Sequence, residues 1–374
     1  MTDVAAPRIT AQKYLLYRDD LEQPRPDEEQ IIDKIIAVLR GNNERAYRKY
    51  KHGLRDAHAK SHGILRGELT VPPGLPPELA QGLFATPASY PVIARLSSTS
   101  GVIRSDQLRG VRGLGIKVLG VHGARALPGD EATTQDFIMV THREFLFADA
   151  HAYLRRGMPV AWVLARLPDP VLQTGSTILS ALDKHLLRRI GRPLPPNLAV
   201  FIRPNTHILG ETFYSSAPLR FGDYIAKLLY IPVSPEVTAL RGRPVRRDAG
   251  SNAHQAQVVD FFATHSAEYE LRAQLCTDPD AMPIEDATVA WSEDASPHRT
   301  VATIRFDIQD PDTPERRTFG DDVLSFNSWR GLRAHRPMGS INRLKQRVYE
   351  ASSNYRHGVN HTPRLEPTVD QLPR

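Results

Sequence analysis

The chain has 374 residues, 41% of them apolar, with 48 Lys and Arg against 42 Asp and Glu. That content suffices for a sizeable core, and the interspersed charges exclude a polybasic nucleic-acid tail while permitting anionic ligands or peripheral contact with a membrane surface. The single cysteine, Cys276, excludes internal disulfides and fits a reducing cytosol, no apolar run approaches the ~18 residues of a membrane span, and the opening MTDVAAPRIT lacks the apolar core of a secretion signal.

Residues 1–26 are polar and proline-broken and read as an arm. Asp27 is a plausible N-cap for a helix to Arg40, whose Ile31, Ile32, Ile35, Ile36 and Leu39 form one apolar stripe. Short strands are expected at His62–Val71, Tyr90–Ser97, Gly115–Val121 and Thr134–Val140, separated by turns. Helical patterns follow at Phe145–Arg156, Val160–Leu167 and Val171–Ile190, broken by Pro168 and Pro170. Strands return at Leu198–Arg203, Thr212–Ser216, Leu271–Cys276 and Val301–Ile308, and a helix runs from Ser340 to about Tyr355. The basic cluster Arg241, Arg243, Arg246 and Arg247 is interrupted by Gly242 and Pro244 and reads as a solvated loop. Residues 363–374 read as a loose tail. The organisation is α+β: an antiparallel barrel with surrounding helices, one domain over 27–362.

Four ordered segments carry chemistry. The first is Arg55-Asp-Ala-His58-Ala-Lys60, leading to Gly63 and Gly67-Glu68-Leu69; the second, Ala94-Arg95-Leu96-Ser97-Ser98, has its arginine 37 residues after the histidine (95 − 58). The third is Arg109-Gly-Val-Arg-Gly-Leu-Gly-Ile-Lys117-Val, and the fourth Asp136-Phe-Ile-Met-Val140-Thr141-His-Arg-Glu-Phe145-Leu-Phe-Ala-Asp149. A lone histidine is usually a packed or surface residue, but a neutral imidazole beside a peroxide can take and return a proton, work typically worth ~10²–10⁴-fold. Gly110-x-x-Gly113-x-Gly115 has the wrong spacing and context for a dinucleotide loop.

Together these segments resemble the haem catalase superfamily. The first is similar to its distal-histidine segment, the second to its Arg-Phe-Ser-Thr stretch, the third to its Arg-Asp-Pro-Arg-Gly-Phe-Ala-Val-Lys strand and the fourth to its Asp-Leu-Val-Gly-Asn-Asn-Thr-Pro region. The chain is shorter than full catalases and residues 150–200 do not match them well; it looks closer to the short catalase-related haem proteins, a group that includes coral allene oxide synthase. The resemblance implies one haem b, held without covalent attachment because there is no C-x-x-C-H. It implies His58 over the distal face, and Arg55, Arg95 and Phe145 among the haem contacts. It also implies a tyrosine ligand to the iron from the C-terminal helix. Tyr349 is the candidate, with Arg356 seven residues later and Lys345 where the family has arginine four residues earlier; residues 345, 349 and 356 share a helix face, and a cation near the phenol would favour phenolate. Tyr355 is the alternative, and Cys276, in an apolar stretch, reads as core. The family's distal asparagine is replaced by Val140, which leaves Thr141 as the neighbouring polar candidate. The implied function is peroxide metabolism. The alternatives are isomerisation or peroxygenase use of fatty-acid or organic hydroperoxides, and non-catalytic haem binding. Implied partners are a peroxide or lipid hydroperoxide and further copies of the chain, with no nucleic acid.

Overall fold

The computed structural model describes residues 13–192, 194–368 and 371. Its strands are β1 (Lys60–Val71), β2 (Ala88–Ser98), β3 (Arg112–Leu119), β4 (Thr134–Val140), β5 (Phe213–Tyr214), β6 (Leu219–Phe221), β7 (Tyr224–Pro232), β8 (Ala267–Leu275) and β9 (Arg299–Phe306). They pair antiparallel in the order β5-β4-β3-β2-β1-β9-β8-β7, and β5 also pairs with β7. Eight strands therefore close on themselves and leave no open edge in the barrel, while β6 extends β7 as a hairpin.

Alternation along each strand sorts the side chains. Leu96, Leu114 and Met139 are register partners and point into the barrel with Leu69, Leu228, Leu271 and Ile304. Each such side chain stabilises by roughly 1.5–3 kcal/mol on burial. The intervening rows face outward: Ser97 opposite Gly113 opposite Val140, and Arg95 opposite Gly115 opposite Ile138. The candidate site lies on this outer face.

Helices cover it. α1 (Glu28–Tyr50) buries Ile32, Ile35 and Leu39 against Ile341 and Leu344, so the stripe read from the sequence is the packed face. α2 (Met158–Leu164), α3 (Asp169–Leu182) and α4 (Ala253–Phe262) follow, and α5 (Ser340–Asn360) closes the fold beside α1.

Several sequence expectations are corrected. α1 continues ten residues beyond Arg40, because Asn43 and Ala46 are also buried in its interface. Asp27 makes no capping hydrogen bond; its carboxylate meets His151 Nε2 at 2.9 Å. The helix expected from Phe145 starts only at Ala150, where the Asp149 carboxylate accepts from Ala152 N at 2.8 Å. Leu198–Arg203 is a helical turn and bends, not a strand. Strand β7 and helix α4 were not read from the sequence. The arm, from residue 13, is docked: Leu15 N donates to Cys276 O and Tyr17 N to Asp223 O, each at 2.8 Å. The tail is pinned at Glu366, whose carboxylate meets Lys117 at 2.7 Å and also Arg330. Residues 1–12 and the last three lie outside the described residues.

Candidate functional site

His58 sits in the loop just before β1. Its φ is +57°, a left-handed conformation that L residues rarely adopt and that persists only where the surroundings hold it. Here His58 N donates to Thr99 O at 3.2 Å, and Arg95 Nη1 donates to His58 O at 2.9 Å. The strained main chain turns the imidazole over the outer face of the barrel, where it lies against Gly113. A Cβ at that position would stand 2.2 Å from both Cε1 and Nδ1 of the ring, so only glycine admits it.

His58 Nδ1 lies 3.0 Å from Ser97 Oγ, and Ser97 Oγ donates its single proton to Gly113 O at 3.3 Å. Ser97 therefore accepts from Nδ1–H, which leaves the Nε2 lone pair of His58 as the free base. Loss of solvation, with Arg95, Lys345 and Arg55 adding to it, pushes the imidazole down to about 3 and keeps it neutral. Val140, opposite Gly113 in the ladder, shares this face. Thr141 is one residue beyond β4, buried, and its hydroxyl accepts from Arg112 N at 3.0 Å.

Three arginines from distant parts of the chain meet at one turn. Arg55 donates to Gly320 O at 2.7 Å and Leu324 O at 2.6 Å; Arg356 donates to Asp322 O at 2.9 Å and Leu324 O at 3.1 Å. Arg95 reaches Ala59 O at 3.2 Å and the Asp321 carboxylate at 3.1 Å. Arg95 and Arg356 are buried, and Arg95 Nε is a buried donor without a partner. Asp321 is the carboxylate paired with this cluster, through Arg95 and Arg55. Three guanidiniums against Asp321, in ion-pair contact, and the neighbouring Asp322 leave an excess of positive charge that a ligand carboxylate could neutralise.

Tyr349, on α5, lies near Asp56 and Tyr153. Burial raises its phenol well above the usual value, and the nearby Asp56 carboxylate and Tyr153 phenol add to the effect. Asp56 is itself pushed up to about 6 by burial. Tyr153 packs edge-on to Phe147 at 5.3 Å and lies 6.2 Å from Phe145. Tyr355 points elsewhere, toward Glu44 and Tyr47 of α1. Lys345, the cation expected beside the phenol, places its Nζ over the Phe145 ring at 5.2 Å.

The structure thus brings His58, Arg55, Arg95, Arg356, Phe145 and Tyr349 into one region and leaves the Thr141 hydroxyl on the main chain of β3. Sequence reasoning did not single out Ser97, Gly113, Tyr153, Asp56 or Asp321. Ser97 and Gly113 stood inside the quoted segments, and their spacing from Arg95 and Arg112 was the available signal. Tyr153 and Asp321 had none, since only the fold brings them there.

No protein-family model matches the sequence, and no curated protein matches it. Solved structures do match. A fungal catalase aligns at TM-score 0.54 and 15% identity, over 96% of this chain and 70% of that one. Catalase A from Saccharomyces cerevisiae aligns at TM-score 0.54 and 14% identity over 96% and 70%, and a bacterial catalase at 0.53 and 13% over 94% and 65%. The closed antiparallel barrel and its surrounding helices are therefore a catalase-like fold.

Proposed function

We propose that this chain binds haem b between His58 and Tyr349 and metabolises peroxides. The observation that carries the reading is the meeting of His58 with the buried Arg95 and Arg356 and the part-buried Arg55, cations whose one ion-pair partner among the described residues is Asp321, through Arg95 and Arg55, and one of which has an orphaned Nε. The donor set fits the group: a phenol for ferric iron, guanidiniums for two propionates, aromatic rings for the macrocycle. Bound haem would supply the iron at which the peroxide O–O bond is cleaved.

The residues of the chain do the rest. Tyr349 is the proposed ligand and Tyr355, directed at α1, is not. His58, neutral across ordinary pH, takes the peroxide proton at Nε2 and returns it, while Ser97 and Gly113 fix its tautomer and plane. The left-handed main chain at His58 keeps the ring from swinging away.

The register of Val140 beside Gly113 favours a second reading, an organic or fatty-acid hydroperoxide as substrate, as in the group with coral allene oxide synthase. Valine offers an apolar wall and no hydrogen bond to orient a second hydrogen peroxide. The experiment is reconstitution with haemin. A Soret band with a ferric tyrosinate spectrum is expected, together with oxygen release from hydrogen peroxide or consumption of a fatty-acid hydroperoxide, either lost in His58→Ala. A haemin-treated sample without a Soret band refutes the haem reading. A haem-loaded sample inert to both peroxides refutes the enzyme and leaves a haem-binding protein.

A further inference from the structure

The segment from Tyr153 to Arg192 departs from the rest of the surface. α3 has no fully buried residue although half its side chains are apolar. Val171, Ile178 and Leu182 fall at i, i+7 and i+11, one helical face, and are 51%, 63% and 42% exposed. Beyond α3 the chain continues with Leu186 and Ile190, also exposed, and before it α2 presents Trp162 and Val163. Scattered exposed apolar residues are ordinary, but a run of this length on adjoining helices marks an interaction surface.

The opposite side of the segment is anchored. Arg104 donates to Leu167 O at 2.8 Å and pairs with Asp169 at 2.6 Å, and Arg109 donates to Ser180 Oγ and to Ile202 O. The apolar stripe is thus the side turned away from the body of the protein.

Charge selects the partner. Residues 153–192 hold seven basic side chains, Arg155, Arg156, Arg166, Lys184, Arg188, Arg189 and Arg192, against Asp169 and Asp183, a net +5 in a chain whose total is +6. Both acids are engaged, Asp169 with Arg104 and Asp183 with Arg188 at 2.6 Å. Arg166 stacks on the exposed Trp162 ring at 4.0 Å, an amphipathic pair suited to a headgroup boundary. Two copies meeting through this face would set like charges against each other, whereas an anionic bilayer neutralises them and accepts the stripe. No helix among the described residues is long and apolar enough to cross a membrane, so the attachment is at the surface.

We propose that the outer face of α2, α3 and the turns after α3 docks on an anionic lipid surface. The attachment is independent of haem and of the peroxide reading. The experiment is sedimentation of the purified full chain with vesicles of phosphatidylcholine and phosphatidylglycerol at 3:1, beside phosphatidylcholine alone, with tryptophan emission recorded. The expected result is binding to the anionic vesicles at least tenfold stronger than to the neutral ones. A blue shift belonging to Trp162 should accompany it and be absent in Trp162→Phe, since Trp291 and Trp329 are already buried. Ile178→Glu with Leu182→Glu, on a helix without buried residues, should fold normally by circular dichroism and lose binding. Lys184→Gln with Arg189→Gln should weaken it roughly 30-fold. Equal affinity for both vesicle types, or binding untouched by either double variant, overturns the proposal. So does a wild-type oligomer in light scattering that Ile178→Glu with Leu182→Glu converts to monomer, which would assign the face to a second copy.

Discussion

Gly113→Ala is the sharpest perturbation of the proposed site. The added methyl would stand 2.2 Å from His58 Cε1 and Nδ1, whereas ordinary contact begins at 3.4 Å, so the ring must retreat by about 1.2 Å (3.4 − 2.2). Such a movement breaks the 3.0 Å contact with Ser97 Oγ and withdraws Nε2 from its proposed position. Gly113 has no positive φ, so alanine meets no backbone strain and the effect acts through the imidazole. A misplacement of about 1 Å can cost on the order of 10²-fold in rate, and complete loss of the base ~10²–10⁴-fold. Overpacking should lower stability by about 1–3 kcal/mol. The assay is peroxide consumption by haemin-loaded protein normalised to the Soret band, with urea unfolding alongside. Gly41→Ala is the matched control: nothing lies within 4 Å of its Cβ, and alanine in mid-helix should add about 0.5–1 kcal/mol. Turnover in Gly113→Ala within twofold of wild type, with haem bound, would refute the assignment of His58 as the base.

Tyr349→Phe should abolish or strongly perturb the Soret spectrum while Tyr355→Phe leaves it nearly unchanged; the reverse pattern moves the ligand to Tyr355. Val140→Asn should raise oxygen release from hydrogen peroxide by up to about tenfold, the worth of one neutral hydrogen bond, and lower the relative rate on cumene hydroperoxide; a wild-type dismutation rate that the substitution does not improve sinks the role given to Val140. For pH, His58 is depressed to about 3 from 6.5, so its neutral form contributes stability that is present above 6.5 and lost as pH falls toward 3. Asp56, raised to about 6, has the opposite sign: its contribution is present below 3.8 and lost as pH rises to 6, so the two offset between 3.8 and 6. Urea midpoints from pH 3 to 7 should therefore rise with pH in Asp56→Asn and flatten in Asp56→Asn with His58→Gln; identical slopes in the two would show that His58 is not held neutral by the fold.

What could be read from the sequence was whatever short-range order records. Apolar periodicity marked the packed stripe of α1, mixed alternation marked β1, and short runs separated by turns marked β2 to β4. The likeness of the four segments to a known family singled out Arg55, His58 and Arg95, the C-terminal helix with Arg356 seven residues on singled out Tyr349, and β2 and β3, which carry two of the segments, pair in a fixed register. That register is also why Ser97 and Gly113, inside those segments, lie beside His58. By contrast, β7 escaped notice because a strand buried among neighbours loses its alternation, and α4 because it is only ten residues long.

The rest belonged to tertiary structure. Lys117 and Asp136 are wholly buried 2.6 Å apart, and Glu366 closes the group from 230 residues beyond Asp136 (366 − 136), a partner that no local pattern encodes. Only barrel closure could set Tyr153 and Asp56 near Tyr349, bring Asp321 to Arg55 and Arg95, and turn Tyr355 toward α1. The same holds for the exposed stripe of α3: the sequence shows an apolar helix, and only the fold decides that Val171, Ile178 and Leu182 find nothing to cover them. Periodicity states that a face is apolar; which neighbour buries it, or fails to, depends on contacts between residues far apart in the chain.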